Sequence, residues 1–223
     1  MDSNTILDTV NTYVPDLVLL VLGINLVFCF IYRTKLTTPF RWLFYFLIWN
    51  FIIEVLALVF MKLGMNNLPL LHIYTLGEFI LFSFFYKSLL HKPVVLKKVF
   101  PYLVGAIVLL IVLNSVFIQS IYTFNTYAKS AVQIIIIGFA ILYFYNLIEN
   151  RSLSQKKAKG LRLVNSAVII YYSGSLFVFM YGFSIDVSKP YIMLWAFNAT
   201  LNLIFQLLIL KGLWKAYFKR RIL

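Results

Sequence analysis

Charge is scarce in this chain. Only 12% of its 223 residues are Asp, Glu, Lys or Arg, about half the share usual in a soluble domain. Acids are scarcer still, 7 against 20 Lys and Arg. A single cysteine, Cys29, excludes an intrachain disulfide, and its place in an apolar stretch reads as a core thiol. Two histidines and that one cysteine give no spacing suited to zinc or haem, so no metal and no cofactor is expected. The segment Met1–Val14 has no Lys or Arg. It lacks the basic start of a cleaved signal peptide, so the first apolar stretch is expected to be retained.

What the chain has instead is apolar surface. Hydrophobic residues make up 62% of it, more than a soluble globule of this size could bury. The apolar runs are long and continuous rather than short and alternating, which favours helices over a barrel. A span needs about 20 such residues. Seven segments qualify: 15–33, 40–62, 69–90, 100–119, 126–148, 163–183 and 191–212. The expectation is an all-α integral membrane protein, one domain over residues 1–223, folded as a bundle of seven transmembrane helices. Pro15, Pro39, Pro69, Pro101 and Pro190 are each expected at a helix start, where a missing N–H costs nothing. Gly64 is expected as a helix C-cap, and Gly23, Gly77, Gly105, Gly138 and Gly174 as sites of close helix approach.

The basic residues predict orientation. With seven spans, 17 of the 20 Lys and Arg fall on one side, and only Lys62, Lys129 and Lys189 on the other. Asp2, Asp8, Asp16 and Asp186 lie opposite the basic side. The positive-inside rule then places the N-terminus outside and the C-terminus in the cytoplasm, and the composition suits a bacterial cytoplasmic (inner) membrane. The basic tail from Lys211 to Arg221 is expected along the cytoplasmic leaflet and its anionic lipids. The net charge of +13 is thereby accounted for without nucleic acid.

A few polar residues interrupt the apolar runs. Glu54 and Glu78 each lie about 15 Å from the outer ends of the second and third spans, near the midplane. Acids at that depth are costly and tend to face the bundle. On neighbouring antiparallel helices, two such carboxyls could share a proton. Asn50 accompanies Glu54 at helical spacing, and Tyr74 and Thr75 accompany Glu78. Lys129 and Gln133 form a stripe on the fifth span, and Asn198, Asn202 and Gln206 another on the seventh. Asn114, Gln119, Tyr171, Tyr172, Ser173 and Ser175 add polar groups to the fourth and sixth. Together they suggest an outward-facing polar pocket with the glutamates at its floor. The competing reading of each amide or hydroxyl alone is a bond between helices. Lys129, about 6 Å below its helix end, is expected to reach water by snorkelling. His72 does not share a helix face with Glu78 and reads as interfacial, and His91 reads as a solvated loop residue.

Gly174-Ser175 lacks a base at a recognisable spacing, which argues against nucleophilic catalysis. The seventh span holds no lysine between Lys189 and Lys211 for a retinal Schiff base. Three functions stay open. The first is a ligand-binding or sensory module that captures a small-molecule or lipid ligand and signals through a partner protein. The second is a proton-coupled transporter or channel built on the paired glutamates. The third is an intramembrane lipid-modifying enzyme using one glutamate as base and the other as acid.

Overall fold

The computed structural model describes residues 3–90, 94–149, 155–181 and 189–218. His91, Pro93, Asp186 and the end of the basic tail lie outside the described residues. Seven helices are long and apolar enough to cross a membrane: α1 (Ser3–Ile31), α2 (Thr38–Lys62), α3 (Leu68–Lys87), α4 (Val94–Leu113), α5 (Thr126–Glu149), α6 (Gln155–Tyr181) and α7 (Lys189–Tyr217). A 3-10 turn, Arg33–Lys35, follows α1, and a π-helical turn, Asn114–Ile118, extends α4. No strand occurs among the described residues.

The helix boundaries follow local chemistry at most joints. Pro39 and Pro69 stand in the first turns of α2 and α3, and Pro190 is the second residue of α7. Two prolines depart from the expectation. Pro15 and Pro101 lie inside α1 and α4, because both helices begin several residues before the apolar run does. Each lies within a few turns of its helix start, where the backbone bond it forfeits is nearer water than the membrane centre. Gly64 ends α2 with φ +68°. Its N–H donates to the carbonyl of Met61 at 3.1 Å, and Met65 N–H to that of Phe60 at 2.8 Å. This is the paired C-terminal cap that glycine permits.

Six helices close into a ring in the order α1, α2, α3, α5, α6, α7, with α7 packing back on α1. Helix α4 is left outside the ring against α3, and it is the least buried of the seven. Side chains fill the ring's centre: Phe46 of α2, Phe82 of α3, Tyr172 of α6 and Phe205 of α7 meet edge to face or tilted. The closest backbone approach is that of α6 and α7. A Cβ on Gly160 would stand 2.6 Å from the carbonyl oxygen of Gly212, so both positions need glycine. Gly77 and Gly174 also face close neighbours, Trp49 and Leu201. Gly23, Gly105 and Gly138 do not, having nothing within 4 Å of where a Cβ would stand. Gly160 and Gly212 are the close contacts that the sequence left unmarked.

Candidate functional site

Glu78 sits in the middle of α3 and is fully buried. An acid at this depth needs partners to stay charged, and two other helices supply them. Lys129 of α5 donates from Nζ to Glu78 Oε2 at 2.5 Å. Tyr172 of α6 donates its hydroxyl to Oε1 at 2.8 Å. Both carboxylate oxygens are thus bonded, and α3, α5 and α6 are held at one point. The ammonium also lies 4.4 Å from the ring centre of Tyr74 and 5.3 Å from that of Phe179, so aromatic faces cover the part of it that Glu78 does not.

Lys129 does not snorkel. It is only 1% exposed, although it is the fourth residue of its helix. The reason is that α5 begins deep. Asn125, just ahead of α5, donates from Nδ2 to Thr75 Oγ1 at 3.3 Å, and Thr75 is about 10 Å along α3 from Leu68. The segment 119–125 therefore keeps residues 120–123 at the surface but buries its two ends, Gln119 and Asn125, so that α5 starts inside the bundle. One further turn of α5 brings Lys129 to the level of Glu78.

A roof of hydrogen bonds lies on the same side of the pair. His72, in the second turn of α3, is buried rather than interfacial. Its Nε2 donates to the carbonyl of Thr123 at 3.2 Å, and its Nδ1 lies 2.8 Å from Ser115 Oγ. Gln119 Oε1 accepts from Asn114 Nδ2 at 3.3 Å and from the backbone N–H of Tyr127 at 3.1 Å, while its Nε2 donates to the carbonyl of Phe124 at 3.3 Å. Phe124 in turn stacks on Phe179 and meets Trp195 edge-on. One turn inward from Lys129, Gln133 donates to Ser175 Oγ at 2.9 Å. Gln133 Oε1 and Ser130 Oγ are buried without a hydrogen-bond partner among the described residues.

The remaining candidates do not join the cluster by hydrogen bonds. Glu54 is half-buried, and it makes no hydrogen bond or ion pair among the described residues. The carboxyl–carboxyl pair that the sequence suggested is thus replaced by a carboxylate–ammonium pair, because Lys129 comes to the depth of Glu78. Asn50 is buried and Asn202 half-buried, and Asn198 keeps a buried Oδ1 without a partner among the described residues. Gln206 turns away from the site and accepts from Asn25 Nδ2 of α1 at 3.1 Å.

Sequence reasoning missed a second tie between the same three helices. Tyr86 donates to Asn165 Oδ1 at 2.7 Å, and Asn165 Nδ2 donates to the carbonyl of Ala140 at 3.0 Å. Tyr86 is two turns along α3 from Glu78, so α3, α5 and α6 are bonded at two levels about 12 Å apart. An Asn within the apolar run of the sixth span was the available signal. No group of three or more metal-binding side chains occurs among the described residues. The structure also holds a groove of about 660 Å³, and it lies away from this cluster along α1. No family model matches the chain, and neither a curated protein nor a solved structure matches it.

Proposed function

We propose that the chain is a ligand-binding sensory module of a membrane, switched by the Glu78–Lys129 pair. The observation that carries the reading is this pair, buried within the bundle and bonded to three helices at once. Removing either partner leaves an uncompensated charge at membrane depth, so the two arrangements of the helices, pair closed and pair replaced, are discrete. A small or lipid-like ligand with a polar end would enter beneath the His72 roof and take over Lys129 or Glu78. The unpartnered Gln133 Oε1 and Ser130 Oγ offer it further hydrogen bonds. Release of the pair would loosen α5 and α6 from α3 at this level, with the Tyr86–Asn165 tie still in place. The change would pass to a partner protein. The 17-to-3 division of basic residues supports an outside N-terminus, a cytoplasmic C-terminus and a bacterial inner membrane. It also supports contact of the basic end with anionic lipids.

A proton-coupled carrier is the second reading, favoured by Glu54. It lies about 12 Å along α2 from the end of that helix, half-buried and without a hydrogen bond among the described residues. Thermal-shift screening of small molecules on the purified protein separates the two. A ligand that raises the Tm of the wild type and not of the Glu78→Gln/Lys129→Met double variant supports the sensor. Stabilisation of both proteins alike contradicts it. Proton flux into reconstituted vesicles that Glu54→Gln abolishes establishes the carrier instead.

A further inference from the structure

The groove on α1 is lined by a single stripe of that helix, from Asp16 through Leu20, Gly23 and Val27 to Ile31. Asp16 is the one polar residue of the lining, and the rest is aliphatic, aromatic or glycine. The space beside this stripe, about 660 Å³, is shallow and open along most of its length. From Asp16 to Ile31 the stripe runs about 22 Å, longer than one leaflet's half of a hydrocarbon core about 30 Å thick. Gly23 opens the floor midway, with nothing within 4 Å of where its Cβ would stand.

Asp16 itself is out of place. It lies inside the apolar stretch Val10–Ile31, about 9 Å from its start. Its side chain is exposed on the flank of the helix rather than turned into the ring, and no hydrogen bond or ion pair engages it among the described residues. Carboxylates in such a position require a cationic or hydrogen-bonding partner. None of the described residues provides one.

We propose that the groove binds one phospholipid with a primary-amine headgroup, phosphatidylethanolamine. Its ammonium donates to the Asp16 carboxylate, and one acyl chain lies along Leu20, Gly23 and Val27 towards Ile31. A second copy of this chain is the poorer occupant. In the same membrane orientation it would set Asp16 against Asp16 at one depth, where like charges repel. Phosphatidylcholine has the same net charge but no N–H to donate, so it isolates the contribution of the contact.

Native mass spectrometry tests this on the purified full chain, offered equal amounts of phosphatidylethanolamine, phosphatidylcholine and phosphatidylglycerol with identical acyl chains. The expected result is retention of phosphatidylethanolamine over the other two by about threefold or more, in line with one exposed charge-assisted contact. Asp16→Asn should equalise the three lipids. Gly23→Leu, whose Cβ would stand in open space, should remove the retained lipid. Equal retention by the wild type, or unchanged retention by Gly23→Leu, overturns the proposal. A dimer that Gly23→Leu converts to monomer also overturns it, giving the groove to a second copy.

Discussion

Two glutamates lie at similar depth on neighbouring helices and meet opposite surroundings. Glu78 faces the ring, has no exposed surface, and gives one carboxylate oxygen to Lys129 and the other to Tyr172. Glu54, on α2, is half-buried and makes no hydrogen bond or ion pair among the described residues. The difference arises from what the adjacent helices bring to each. Glu78 looks towards α5 and α6, whose polar stripes converge on it, whereas α2 is flanked by α1 and α3. Depth alone therefore does not define an intramembrane site. The helices that supply the counter-charge do.

The contrast can be broken by mutation. The largest effect is expected from Glu78→Gln or Lys129→Met alone. Each leaves one buried charge without its partner, and a loss of about 3–5 kcal/mol in unfolding free energy should follow. A loss as small as that of a surface substitution would show that the pair is not buried. Next comes Tyr172→Phe. It deletes one hydrogen bond to a charged acceptor, and about 2 kcal/mol should go, read from the same unfolding curves. Glu78→Gln/Lys129→Met removes both charges together and should lie within about 1 kcal/mol of the wild type, since replacing a whole buried pair is often near neutral. If the two single losses simply added, the residues would not be in contact. The smallest effect is expected from Glu54→Gln, within about 0.5 kcal/mol. A loss equal to that of Glu78→Gln would mean that Glu54 has a partner as strong as Lys129, and the comparison would fail.

The seven helices were legible in the sequence because apolar runs of spanning length need no tertiary information to be recognised. Glu78 was legible for a related reason, as an acid in the middle of such a run. Its partner was not. Sequence spacing gives the depth of Lys129 only relative to the start of its own helix, and a helix that starts below the membrane surface carries it deeper. The polar stretch 119–125 reads as a surface loop, yet Thr123 and Asn125 are bonded to His72 and Thr75 and draw the start of α5 inward. Only tertiary contacts carry that information. Tyr171 and Tyr172 are adjacent and chemically identical. Which of them reaches Glu78 depends on the rotation of α6, which the Gly160–Gly212 crossing with α7 helps to set. The exclusion of α4 from the ring was only faintly signalled: its mean hydropathy of 2.4 exceeds the 1.5 of α3 and the 1.8 of α5, but α1 has the same value and joins the ring.

Chemical access to Lys129 tests the account most directly. Lys62 ends α2 on the side of the bundle where α5 begins, and it is exposed. A membrane-impermeant amine-acylating reagent applied to that face of reconstituted protein, followed by peptide mass spectrometry, compares the two lysines in one sample. Acylation of Lys62 with Lys129 left unmodified is the result expected for an ammonium held against Glu78. Modification of both at similar rates would place Lys129 in water and contradict the buried pair.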